Sequence, residues 1–203
     1  MSIYPYTVSA LETIARKTIL EYDPYLLVNP APIPVEDIME KLYGLTIEFQ
    51  YIRNNGRVLG ETVFEDGMLP IYERKNNEGY KLIPVKAGTV LIDVSLLNCQ
   101  SSGRFRWTCG HELFHWIAHK EHYTGTGEVA AMTTAARGSS TDKALERQAD
   151  RFCGYLLMPK GMVKKAYYRI HQQTNEKISA LANLFAVSRQ AMEIRLTDMR
   201  LLM

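Results

Sequence analysis

With 203 residues, 46% of them apolar, the chain can bury the core of one domain and still carry a small helical appendage. Its formal charge of +2 leaves no electrostatic case for nucleic acid or a membrane surface as the main partner. No run approaches the ~18 apolar residues of a membrane span, and the opening MSIYPYTVSALETIARK lacks the basic head, apolar middle and cleavage site of a signal peptide, so a cytosolic location is expected.

Val8, Leu11, Ile14, Ala15 and Ile19 recur at helical spacing, which predicts a helix over Val8 to Tyr22 with Ser9 as its cap. Pro24, Pro30, Pro32 and Pro34 then impose an extended connection, because proline lacks a donor and clashes inside a helix. A second helix is expected where Val35, Ile38, Met39 and Leu42 keep the 3.6-residue period, with Gly44 stopping it. From there the period changes to two. Thr46 to Tyr51, Gly60 to Phe64, Leu69 to Tyr72 and Thr89 to Asp93 read as short strands, separated by Asn54-Asn55-Gly56, Asp66-Gly67 and Asn76 to Gly79. They predict a small, mostly antiparallel sheet packed on helices, an α+β domain. Cys99, Cys109 and Cys153 are odd in number and lack the spacing of a structural zinc site, which suits reduced thiols.

Next comes Thr108 to His119, TCGHELFHWIAH, which places His111, Glu112 and His115 in an H-E-x-x-H arrangement. On a helix, positions four apart share one face about 6 Å apart along the axis, so the two imidazoles can converge on one tetrahedral zinc ion. Glu112 projects beside them, close enough to take a proton from water held by the ion without serving as a ligand. With five His in the chain, chance would produce this triplet in roughly one such sequence in a hundred. A third ligand would therefore decide the matter.

The stretch Gly125 to Thr141 holds no bulky core residue except Met132. Connections of this length are uncommon unless functional, and two readings stand open: a flap over the site, or a tether. The helix expected over Asp142 to Leu157, ended by Pro159, has an apolar face of Leu145, Ala149, Phe152, Cys153 and Leu156. Glu146 and Asp150 border that face four residues apart. Two solvated carboxylates would be the bland reading, but like charges at this spacing repel. A cation between the helices would relieve them. Glu146 then becomes the third zinc ligand, leaving a fourth position open, and Asp150 can hold the far ring nitrogen of His111 and fix its tautomer.

HELFH followed by E-x-x-x-D on a later helix resembles the gluzincin pattern of thermolysin-like peptidases. RWTCGHELFHWIAH, ERQADRFCGYLLMP and LANLFAVSRQAMEIRL resemble, in order, segments of the narrower ImmA/IrrE family of small zinc metallopeptidases. The resemblance extends loosely over residues 8 to 202. It implies a zincin-like fold with zinc on His111, His115 and Glu146 and with Glu112 as general base. It also implies a regulatory protease whose protein substrate is a transcriptional repressor. Phe114 departs from the family's usual Gly, and Cys153 from its usual small Ala.

Other polar residues are less telling. His119 lies about 12 Å of axial rise from His111 on a straight helix, too far to share its ion. We read His119 and His122 as helix C-terminal residues facing the dipole. Arg104 and Arg106 either pair with the carboxylates or are solvated, and Tyr123, His122 and Tyr155 are candidates for stabilising an oxyanion.

Two helices and a third capped by Ser188 are expected from Gly161 to Leu201. The last pair resembles a helix-turn-helix, but Glu193 and Asp198 offset Arg189 and Arg195, so no basic face forms. Val187, Ala191, Ile194, Leu196 and Leu201 suit docking instead. The expected organisation is a metallopeptidase domain over 1–160 and a helical segment over 161–203, packed as one structural unit. The reading that leads is a zinc-dependent endopeptidase, with its peptide along an exposed sheet edge near Thr89 to Asp93. A catalytically silent binding module of the same shape, or a DNA-binding regulator, are the alternatives.

Overall fold

The structure, a computed structural model, describes residues 6–53, 58–73, 79–97, 102–124, 131–132, 140–171 and 173–202. Helix α1 (Val8–Tyr22) is capped by Thr7, whose hydroxyl accepts from the Ala10 amide, rather than by Ser9. The Pro-rich connection follows, and α2 (Val35–Asp37) widens into a π turn over Ile38–Leu42. Gly44 ends that turn with a φ of +64°, a left-handed conformation that glycine reaches without strain.

Six strands are present among the described residues: β1 (Thr46–Gln50), β2 (Gly60–Val63), β3 (Gly67–Glu73), β4 (Gly79–Val85), β5 (Thr89–Asp93) and β6 (Ala131–Met132). The main sheet has the order β1-β5-β2-β6. Its pairings are antiparallel apart from β1 with β5, which run parallel. The unexpected β4 pairs with β3 in a two-stranded ribbon. Each of its strands is an edge there, which is where a strand tolerates a proline such as Pro84.

One expectation fails here. Thr89 to Asp93 is no open edge: β5 lies between β1 and β2, buried along its whole length. The centre of the run, Val90, Leu91 and Ile92, is apolar on both faces, the mark of a central strand. The strand nearest the motif helix is β2, and β6 pairs with its outer side at Thr62 and Val63. Apart from Ala131–Met132 and the helix start at Ser140, the stretch Gly125 to Thr141 lies outside the described residues, so the choice between flap and tether falls outside them too.

The motif occupies α3 (Ser102–Phe114), which passes through a π turn at His115–His119 into α4 (Lys120–Tyr123). Helix α3 is clamped between α5 (Ser140–Leu157) on one side and β2 with β5 on the other, and α1 packs on α5. Gly110 permits the clamp, since a Cβ there would meet Cys153 Sγ at 2.8 Å. Cys153 is thus accommodated across from a residue without a side chain.

Helices α6 (Lys160–Arg169), α7 (Thr174–Phe185) and α8 (Arg189–Asp198) complete the fold. A single apolar cluster joins Leu11 and Ile19 of α1 to Leu113, Phe152, Phe185, Met192 and Leu196. Each large side chain buried there contributes roughly 1.5–3 kcal/mol. Ala186 turns the chain with a φ of 50°, and Ser188 caps α8 by accepting from the Ala191 amide. Val187, Ala191 and Leu196 are buried, whereas Ile194 is 57% exposed and undocked. Arg195 is buried, paired with Glu12 of α1 at 2.9 Å, bonded to the Met158 carbonyl and stacked on Tyr155. It ties α8 to the core and is withheld from any phosphate. No helix among the described residues is long and apolar enough to cross a membrane.

Candidate metal centre

One face of α3 and its π extension presents His111 and His115 toward Glu146 of α5. His111 Nε2 and His115 Nε2 are 3.0 Å apart. Glu146 sets Oε2 at 3.1 Å from the first and Oε1 at 3.3 Å from the second. A tetrahedron with bonds near 2.0–2.1 Å has edges of about 3.3–3.4 Å, so the two imidazole nitrogens can share one ion and Glu146 has an oxygen in reach beside each of them. All three ligand atoms fall within 4.8 Å of one another. Two imidazoles and a carboxylate can bind a divalent transition metal.

Asp150, one turn beyond Glu146, puts Oδ1 3.0 Å from His111 Nδ1 and accepts from Trp107 Nε1 at 3.4 Å. Burial favours a neutral His111, but the hydrogen bonds to Asp150 and then Glu146 outweigh it and push the imidazole up to about 10. Glu146 shows the mirror effect. Its burial favours protonation, yet the bonds to His111 and His115 hold it near about 2. Asp150 is likewise lowered, burial being outweighed by its bond to His111.

Glu112 is 2% exposed and turns toward β2. The Thr62 hydroxyl donates to its Oε2 at 2.7 Å, and a Cβ on Gly60 would sit 2.6 Å from its Oε1. A small residue and a hydroxyl, two positions apart on one strand face, thus shape the seat of this carboxylate. Sequence reasoning missed both. They could be found only from the register of β2 against α3, which no local pattern encodes.

His119 was also misjudged. Rather than serving the dipole at a helix end, it is 2% exposed, with Nδ1 2.9 Å from His115 Nδ1. The helix continues past it into α4, so the dipole argument does not apply. Burial, then the charge of His115, pushes His119 down to about 3. Phe114 is fully buried, stacked on Phe152 and edge-on to the His119 ring, so its bulk goes into the core.

The remaining expectations separate clearly. Arg106 donates to the Ile33 carbonyl at 2.7 Å and pairs with Glu36, stapling α3 to the Pro-rich connection, and Arg104 is exposed. Tyr123 packs its ring 6.4 Å from that of His115, whereas Tyr155 lies against Arg195. An open groove of about 740 Å³ runs between α3, Leu59 and the α7–α8 turn. Thr108, one turn before Glu112, stands in its wall.

Comparison with known proteins agrees with this picture. Residues 93–197 match the family Peptidase_M78, described as the IrrE N-terminal-like domain. A solved structure, a Mycobacterium tuberculosis transcriptional regulator, superposes with a TM-score of 0.52 at 12% identity. The match covers 93% of this chain but 46% of that one, so the chain spans less than half the regulator's length, and the likeness is one of fold. No curated protein sequence matches.

Proposed function

Because the chain belongs to the Peptidase_M78 family, with the match running from β5 through α8, we propose that it is a zinc-dependent endopeptidase of regulatory role. Its substrate in this reading is a protein, a transcriptional repressor being the favoured class. The observation that carries it is the convergence of His111, His115 and Glu146 within 3.0–3.3 Å, with Glu112 next in sequence to the first of them. His111, His115 and Glu146 would hold the ion, and Asp150 would keep the Nδ1 proton of His111 in place. Bound there, zinc supplies a Lewis acid for the scissile carbonyl and for the attacking water.

The chain's own residues do the rest. Glu112 accepts the proton of the attacking water and returns it to the leaving amine nitrogen. Thr62 occupies Oε2 and leaves Oε1 for that exchange. Substrate side chains on one side of the cut bond would enter the groove beside Thr108 and Ile194. The expected result is cleavage of a repressor by zinc-loaded protein, abolished in Glu112→Gln while zinc binding persists. Equal cleavage by wild type and Glu112→Gln would sink the proposal.

One observation favours a second reading, a metal-holding module that acts by contact. β6 already pairs with the outer edge of β2 beside Glu112, where an extended peptide would add. Stable capture of a repressor without any cut, unchanged by Glu112→Gln, would make this the better account.

A further inference from the structure

Two imidazoles meet nitrogen to nitrogen behind the metal cluster. His115 presents Nε2 to His111 and Glu146, and its other nitrogen, Nδ1, lies 2.9 Å from Nδ1 of His119. Such a contact needs one proton, because two lone pairs at this distance repel and two N–H groups collide. Both rings are buried, His115 fully. If His115 Nε2 is a ligand it carries no proton, and a neutral His115 must then hold its proton on Nδ1. His119 Nδ1 is then the acceptor. The π turn over His115–His119 and the edge-on Phe114 ring, 5.0 Å from that of His119, hold the acceptor in position.

We infer that His119 is a positioning residue that fixes the tautomer and ring angle of His115 through an Nδ1–H···Nδ1 hydrogen bond. His111 has a charged acceptor in Asp150; His115 has a neutral one. The inference rests on the metal-ligand reading above and extends it to a side chain that holds no metal itself. Outer partners of this kind set ligand orientation and affinity.

The test uses the full chain, labelled with nitrogen-15 in its histidines. In zinc-loaded wild type, the His115 proton should sit on Nδ1 and show scalar coupling across the hydrogen bond to His119 Nδ1. A proton on His119 Nδ1 instead, or no coupling, overturns the inference without any variant having to fold. Zinc affinity, read by chelator competition, should fall roughly 10–100-fold in His119→Leu. In His119→Asn, whose amide oxygen can accept in the same place, it should recover most of the loss. Affinity equal to wild type in His119→Leu defeats the positioning role and leaves the metal site standing. Failure of zinc to shift the nitrogens of His111 and His115 in wild type would defeat both readings together.

Discussion

Gly60 and Glu112 touch with no room to spare. A methyl group on Gly60 would fall 2.6 Å from Glu112 Oε1 and 2.7 Å from both its Cγ and Thr108 Cγ2. Gly60→Ala should therefore displace the Glu112 carboxylate from Thr62 while leaving His111, His115 and Glu146, the proposed metal donors, untouched. We expect peptidase activity to fall at least about 10²-fold, the scale of a mispositioned catalytic group, with zinc content unchanged. Wild-type activity in this variant would mean that Glu112 is not seated as described. His111 yields a second expectation at the same scale. Its folded-state position near about 10 lies above its ordinary value, so in metal-stripped protein its bonds to Asp150 and Glu146 contribute stability fully below pH 6.5. That contribution is lost as pH rises through about 10. A metal ligand must be neutral, so binding at pH 7 should release about one proton per ion, and affinity should climb about tenfold per pH unit between pH 7 and 9. Calorimetry in buffers of different ionisation enthalpy measures the proton directly. Asp150→Asn should reduce both, and a pH-independent affinity in wild type would contradict the assignment.

At the scale of elements, the ribbon β3–β4 packs on the sheet through Leu69, Ile71 and Val85 against Val63 and Leu91, and β2 carries a buried carboxylate with poor partners. Glu61 is fully buried, its oxygens accept no hydrogen bond, and Arg53 Nη2 stands 3.9 Å away, near enough for attraction but too far to donate. Arg53 meanwhile donates to the Pro70 carbonyl of β3. Burial pushes Glu61 up to about 8, against the pull of Arg53 and with help from Glu112. A raised carboxyl means stability present below its ordinary 4.5 and lost as pH rises through about 8. Glu61→Gln should therefore match wild type near pH 4.5 and exceed its Tm at pH 8 by about 3 °C or more. A Tm difference that stays constant with pH would refute this. The element scale is also where legibility changes. α1, α3, α5 and α8 could be read because their buried residues recur every third or fourth position, and the E-x-x-x-D pair stood out as repelling charges on a half-buried face. β4 and the order of the strands could not be read. Pairing depends on contacts far apart in sequence, and a proline such as Pro84 is a local signal against a strand. The seat of Glu112 and the partner of His115 were hidden for the same reason: Thr62 reaches the motif through the register of β2, and His119 through a π turn, neither of which has a local signature.

For the whole molecule, the decisive contact is Arg195 with Glu12. It links the last helix to the first across nearly the full length of the chain, and Tyr155 of α5 and Met158 just beyond it close the ring around the guanidinium. The apolar cluster runs without interruption from α1 through α3 and α5 to α7 and α8. We therefore propose that residues 161–203 do not form a separable appendage but unfold together with the metal site. Arg195→Met would leave the Glu12 carboxylate, 27% exposed, and the Met158 carbonyl without their donor. Removing one partner of such a pair costs about 3 kcal/mol, which for a chain of this size lowers Tm by about 6–12 °C. The informative readout is which signals move. Far-ultraviolet circular dichroism follows all the helices, whereas the visible spectrum of a cobalt-substituted protein follows the His111, His115 and Glu146 cluster alone. In one cooperative unit both midpoints fall together by the same amount in Arg195→Met. If the metal-site midpoint holds while part of the helical signal melts early, the chain is two units, and the groove between α3 and α8 is an interface that can open.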